Sequence, residues 1–186
     1  MKKLISTLKN IWSIEELRNR ILNTLVIILI FRIGSYIVLP GVDATKLKDL
    51  TAGNGLLGLL DTLVGGAFSN ASIMALGIMP YISASIAMQL AQIAVPQIQK
   101  LQKEESGRKK VQMYTRYLTV VVTLFQSIGY ISFIRQQYGP AIVDDNLLWM
   151  ITTVIVLVSG TLFVMWMGEK ITDKGIGNGT SLLIMA

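Results

Sequence analysis

Long apolar stretches recur along this chain between short polar connections, and they constrain its fold more than any other feature. Residues 21–39 and 147–167 are each long enough to cross a bilayer core of about 30 Å as a helix. Apolar runs also cover residues 75–95 and 117–134, and another begins near residue 180. Hydrophobic residues make up 52% of the sequence and charged residues only 15%, unlike a soluble domain. We predict an all-α membrane protein with four transmembrane segments and the start of a fifth.

The basic residues are concentrated in three segments next to the apolar runs, as expected for the cytoplasmic side of a membrane protein. Most of the 17 Lys and Arg residues fall in residues 1–20, in the connection 97–116 and in the connection 168–179. The positive-inside rule therefore predicts that the N-terminus and these connections are cytoplasmic, and that the fifth segment runs outward. Because this fifth run is cut off at Ala186, we expect the sequence to be part of a longer protein.

Residues 1–20 carry apolar side chains at helical spacing, with lysines on the other face. This pattern predicts an amphipathic cytoplasmic helix at the membrane surface and leaves a solvated leader as the alternative. A cleavable signal peptide would become apolar almost at once, whereas here the apolar run begins only at Ile21. We therefore expect a retained N-terminus.

A short apolar segment covers residues 56–68 and is interrupted by Asp61, Gly65 and Gly66. It is too short to span the membrane. A glycine-broken helix beside full spans is typical of a re-entrant segment, which must be surrounded by protein or water. A helix lying flat on the membrane surface is the alternative that periodicity leaves open.

Residues 77–92 mix apolar side chains with proline, serine and glutamine. Pro80 suits the first turn of a helix that ends at Val95, before Pro96. One stripe of this helix carries residues at spacings of four and three: Ile78, Ile82, Ser85, Gln89 and Gln92. The stripe is apolar at one end and amide-bearing at the other, which predicts a channel-lining helix. Ordinary packing, with Gln89 and Gln92 bonded to a neighbouring helix, is the alternative.

The absence of cysteine and histidine excludes several kinds of catalytic and metal-binding site. The sequence contains no cysteine and no histidine, so disulfides, thiolate metal sites and a histidine base are impossible. We expect neither an enzyme nor a bound cofactor or metal. An intramembrane hydrolase would lack an evident nucleophile and base. A small-solute transporter with broken helices around a midplane site is the main rival class.

Three glycines surround Asn178 in the sequence GIGNG, residues 175–179. The segment has no Lys-Ser/Thr ending and follows no strand, so it is not a phosphate-binding loop. We predict a tight turn in which Asn178 caps the next helix.

Four motifs occur in a fixed order over nearly the whole chain: FRIGSYIVLPGVD (31–43), ALGIMPYISASI (75–86), ESGRKK with YTRY (105–110 and 114–117), and GEKITDKGIGNGTS (168–181). With these motifs the sequence resembles the N-terminal half of the SecY family, the central subunit of the bacterial protein-conducting channel. The resemblance implies a SecY-type helical bundle, half of a clamshell, with a re-entrant plug helix. It further implies a pore that conducts unfolded preproteins and releases transmembrane segments sideways through a lateral gate.

The same resemblance assigns roles to individual positions. For the pore ring it implies Ile78, Ile82 and Ile184, with Thr180 where family members often carry an aliphatic residue. For the lateral gate it implies Ser83, Ile86 and Gln89. For the plug, residues 56–68, it implies Leu56, Leu57, Gly58, Leu59, Leu60, Asp61, Leu63, Gly65 and Gly66. For the cytoplasmic loops it implies Arg108, Lys109, Lys110, Gly177, Asn178 and Gly179.

The implied partners are SecE and SecG in the membrane, the SecA motor or a ribosome on the cytoplasmic side, and the C-terminal half of the family sequence. Preproteins and signal sequences are the implied substrates, in the cytoplasmic (inner) membrane. The run Arg108 to Lys110 is first a topology signal, and contact with anionic lipid is its second interpretation. We expect no direct recognition of nucleic acid.

Overall fold

The computed structural model describes residues 13–43, 46, 70–103, 105–143 and 146–186. Within them six α-helices follow one another: α1 (Glu15–Ser35), α2 (Met79–Ala94), α3 (Pro96–Lys103), α4 (Glu105–Tyr138), α5 (Leu147–Lys174) and α6 (Gly179–Met185). A 3₁₀ turn, Gly139–Ala141, follows α4. Only isolated β-bridges accompany the helices in the part described, so the predicted all-α class is confirmed. The predicted plug, residues 56–68, lies outside the described residues.

Two of the described helices are long and apolar enough to cross a membrane, over Ser106–Gln136 in α4 and over Leu147–Lys174. They contain the predicted segments 117–134 and 147–167. The connection 97–116 is also helical, because α3 occupies Pro96–Lys103 and α4 begins at Glu105. Pro96 ends α2 and begins α3, where its missing N–H costs no helical hydrogen bond.

Helix α5 is the centre of the bundle, and α1, α2, α4 and α6 all contact it. One apolar cluster joins α5 to the ends of α1 and α4 through Leu39, Ile131, Ile134 and Leu157. A second joins it to α1 and α6 through Phe31, Val164, Ile171 and Leu183. Both clusters are almost fully buried, so α5 fixes the positions of the helices around it.

Residues 70–78 precede α2 as a series of turns and not as a helix. Their backbone is paired with the segment that follows α1: Leu39 N–H donates to Ala71 O at 2.8 Å, and Ile73 N–H donates to Ile37 O at 2.9 Å. Irregular backbone is stable in a membrane protein only where protein or water satisfies its polar groups, and this segment meets that condition through protein. The predicted span 75–95 is helical only over Met79–Ala94, because Ala75 N–H and Gly77 N–H bond in turns to Ser72 O and Met74 O.

Loops close the end of the bundle at which α4 ends and α5 begins. Asp43 N–H donates to Ala141 O at 2.8 Å and Val143 N–H to Gly41 O at 3.0 Å. The indole N–H of Trp149 donates to Pro40 O at 2.9 Å. These bonds tie the ends of α1 and α4 to the start of α5.

Candidate functional site

A cavity of about 350 Å³ opens between α2 and the turn that joins α5 to α6. The side chains that line it are all uncharged and include four hydroxyls and two amides: Tyr81, Ile82, Ser85, Ile86, Gln89, Thr172, Asn178 and Thr180. Such a surface can hydrogen-bond to polar groups of many kinds without selecting for charge.

Helix α2 forms one wall of this cavity. Pro80 lies in its first turn, as predicted, and spacings of three and four place Ile82, Ser85 and Gln89 on the same face. The amide of Gln89 donates to Ser85 Oγ at 3.4 Å. The structure thus brings together the middle three residues of the predicted stripe.

The turn between α5 and α6 forms the opposite wall. Asn178 Oδ1 accepts from Thr180 N–H at 3.0 Å and from Ser181 N–H at 3.5 Å, which confirms the predicted helix cap. It also accepts from the Thr180 hydroxyl at 2.6 Å. That bond satisfies the polar group of Thr180 locally, so a threonine is accommodated at this position.

Glycines let this wall approach α5 closely. Gly177 has a φ of +71°, a conformation that L side chains rarely adopt. A Cβ on Gly179 would overlap the carbonyl oxygen of Gly168 in α5. The helix that carries Thr180 and Ile184 can therefore cross α5 only with glycine at position 179.

The other predicted pore and gate residues, Ile78, Ser83 and Ile184, do not line the cavity. Ile78, one turn before Ile82, is only 5% exposed and packs in the second apolar cluster beside Gly168. Ile184 on α6 and Ser83 on α2 are exposed. Arg108, Lys109 and Lys110 are exposed on the first turns of α4. Of the four predicted ring residues, Ile82 and Thr180 therefore line the cavity, whereas Ile78 and Ile184 do not.

Two lining residues were not predicted from the sequence. Tyr81 lies four residues before Ser85 on α2, so helical spacing could have indicated it. Thr172 reaches the cavity only because the chain reverses after α5, and no local pattern signals that. Among the residues the structure describes, no three acidic side chains gather closely enough to hold a metal ion.

Comparison with known proteins gives consistent matches. The family model described as SecY matches residues 72–186. The protein translocase subunit SecY of Aquifex aeolicus is 43% identical over 187 residues, covering 96% of this chain and 44% of that protein. The subunit of the same name from Escherichia coli is 45% identical over 177 residues, covering 92% of this chain and 40% of that protein. The chain thus spans less than half the length of these relatives.

Two solved structures share the fold. One is the channel in the canine ribosome-channel complex from the endoplasmic reticulum, and the other is described as the structure of a protein conducting channel. Each has a TM-score of 0.62 at 16% identity and covers 90% of this chain and 35% of the solved chain.

Proposed function

Because this chain belongs to the SecY family, we propose that it forms the N-terminal half of a protein-conducting channel. Unfolded preproteins would cross the membrane between this half and the C-terminal half of the same protein. Transmembrane segments would leave sideways into the lipid. The observation that carries the proposal is the uncharged cavity between α2 and the α5–α6 turn.

The chemistry of the cavity suits an extended polypeptide. Gln89, Ser85 and Asn178 offer neutral donors and acceptors, which can exchange hydrogen bonds with the backbone of any sequence. Charged lining groups would favour some sequences and repel others. A lining without charge is therefore compatible with many different preproteins.

Isoleucines provide the seal in this proposal. Ile82 lines the cavity, and Ile78, four residues earlier, is buried among apolar side chains. A narrow apolar constriction loses its water, so it resists ion flow without a specific lock. Flexible aliphatic side chains can also close around peptides of different shape. Ile184 and Thr180 would complete the constriction from α6.

The exposed face of α2 supports a lateral gate. Ile86, Leu90 and Ile93 are exposed along this helix, and Ile86 also lines the cavity. An apolar face of this kind can contact lipid, a signal sequence or the C-terminal half of the channel. We include Ser83 and Gln89 in this gate and residues 56–68 as the plug.

The proposal extends to orientation and partners. It has the N-terminus in the cytoplasm, the chain in the cytoplasmic membrane, SecE and SecG as membrane partners, and SecA or a ribosome at the cytoplasmic face. The exposed run Arg108 to Lys110 at the start of α4 would lie among the head groups of anionic lipids.

Disulfide crosslinking tests the central claim, because the sequence has no cysteine to interfere. We would place a cysteine at Ile82 in the full-length protein and single cysteines along a preprotein arrested during translocation. Ile82→Cys is expected to crosslink to many preprotein positions, and only while the preprotein is in transit. Val121→Cys is the matched control, since Val121 is exposed on α4 and does not line the cavity.

The result can contradict the proposal directly. If translocation proceeds and Ile82→Cys forms no more crosslinks than Val121→Cys, the preprotein does not pass this cavity.

A further inference from the structure

We infer that Thr24 on α1 is a positioning residue for the pore-facing helix α6. Its hydroxyl holds the turn between α5 and α6 against α1, although the two segments are about 150 residues apart in sequence. The inference rests on the proposed function only in taking α6 as a wall of the pore. The contact itself is independent of any channel activity.

The Thr24 hydroxyl makes two hydrogen bonds at once. It donates to Arg20 O at 2.9 Å within α1, and it accepts from Ile176 N–H in the turn at 3.1 Å. The Arg20 guanidinium adds a longer bond of 3.4 Å to Gly175 O. Both polar groups of the Gly175–Ile176 peptide unit are therefore bonded to α1.

The approach between α1 and this turn is very close. Thr24 is only 8% exposed, and a Cβ built on Gly175 would lie 2.5 Å from Thr24 Oγ1. The same Cβ would lie 2.6 Å from Ile171 O, so close contacts with both α1 and α5 require glycine at position 175.

A second threonine acts in the same way from α5. Thr172 Oγ1 donates to Gly168 O at 3.0 Å and accepts from Gly179 N–H at 3.0 Å. Gly175 N–H donates to Ile171 O at 2.7 Å, and Asn178 caps α6. The N–H groups at both ends of the turn are therefore held by side chains or by α5.

This arrangement connects α1 to the cavity. Thr172, Asn178 and Thr180 line the cavity, whereas Thr24 does not. Thr24 therefore acts on the lining through the turn that it holds. Without its hydroxyl, the Ile176 N–H would lose its partner on α1, and the longer bond from Arg20 to Gly175 O would be left to hold the turn there.

Distances between spin labels test the inference in the full-length protein in lipid bilayers. Labels on Leu29→Cys in α1 and Met185→Cys in α6 use exposed positions on the two elements. We expect one narrow distance distribution for the parent protein. Thr24→Val, which replaces the hydroxyl with a methyl group, should shift and broaden it. Thr24→Ser, which keeps the hydroxyl, should leave it unchanged.

Thr152→Val is the matched control. The Thr152 hydroxyl is exposed and donates only within its own helix, to Leu148 O at 2.8 Å. Hydrogen exchange of the peptide that contains residues 175–179 gives a second measurement. It should be faster in Thr24→Val than in the Thr24→Ser and Thr152→Val proteins. If Thr24→Val does not fold, Thr24→Ala removes the same hydroxyl with less bulk and is measured in its place.

Two outcomes overturn the inference. Unchanged distances and exchange in Thr24→Val would mean that the hydroxyl does not hold the turn. Equal shifts in Thr24→Val and Thr24→Ser would assign the effect to packing. Neither measurement needs a preprotein, so failure of the Ile82 crosslinks would reject the channel proposal and leave this inference standing.

Discussion

Arg116 on α4 and Glu169 on α5 form a forked ion pair at the end of the bundle that holds the cavity. The Arg116 guanidinium donates to both carboxylate oxygens of Glu169, at 3.0 and 2.7 Å. Glu169 is only 13% exposed, while Arg116 is 48% exposed and partly screened by water. We expect Glu169→Gln to lower the free energy of unfolding by about 1 kcal/mol, the upper end for exposed pairs. Unfolding of the full-length protein in mixed detergent micelles would measure the difference.

A second ion pair offers a control for this prediction. Arg20 and Glu16 make a single contact of 3.2 Å within α1, and Glu16 is 78% exposed. Glu16→Gln should therefore change stability by only about 0.3 kcal/mol. Equal effects of the two Glu→Gln substitutions would mean that the pair between α4 and α5 contributes no more than a surface pair.

Packing between elements depends on Gly160 of α5, where residues 70–78 cross that helix. A Cβ at this position would overlap the carbonyl oxygen of Ile73, which is backbone and cannot rotate away. We expect Gly160→Ala to destabilise the protein by about 1–3 kcal/mol, as overpacked sites do. Gly129→Ala is the control, because a Cβ on Gly129 in α4 would meet no atom within 4 Å. Thermal unfolding in detergent should distinguish the two variants, and similar midpoints would contradict the crossing.

Local sequence signals predicted some of these elements well. Pro80 in the first turn of α2 and Asn178 as the cap of α6 each depend on neighbours within a few residues. The all-α class followed from the length and composition of the apolar runs. Helical spacing of three and four residues predicts Ile82, Ser85 and Gln89 on one face, and they do lie on one wall of the cavity.

Other features depend on contacts between distant residues and could not be predicted. Residues 75–78 are apolar enough to be helical, yet Ala71 and Gly77 have positive φ and Ile73 N–H bonds to Ile37 O. That pairing with the segment after α1 replaces helical hydrogen bonds. The contact of Thr24 with Ile176 is likewise absent from any local pattern. A single threonine in an apolar run gives no indication of its partner.

In the whole molecule, α4 and α5 run in opposite directions. Charged side chains lie at the end where α4 begins and α5 finishes. α4 has 34 residues and is about 50 Å long, whereas a bilayer core is about 30 Å thick. One end of α4 must therefore extend beyond the hydrocarbon, and the exposed Arg108, Lys109 and Lys110 identify that end. The bond between Arg116 and Glu169 shows that α5 finishes at this same end.

Measuring which ends of α4 and α5 face the cytoplasm would therefore show to which side of the membrane the cavity opens. We expect Lys110→Cys and Lys174→Cys to react with a membrane-impermeant maleimide only from the cytoplasmic side. Val143→Cys, exposed in the loop beyond the other end of α4, should react only from the outside. The parent protein has no cysteine, so each variant reports on one position. Because Thr172 and Asn178 are close to Lys174 in sequence, this pattern would open the cavity toward the cytoplasm, the side on which the proposed function needs its entrance. Labelling of Lys174→Cys from outside would mean that the cavity opens to the outside and is not the cytoplasmic entrance.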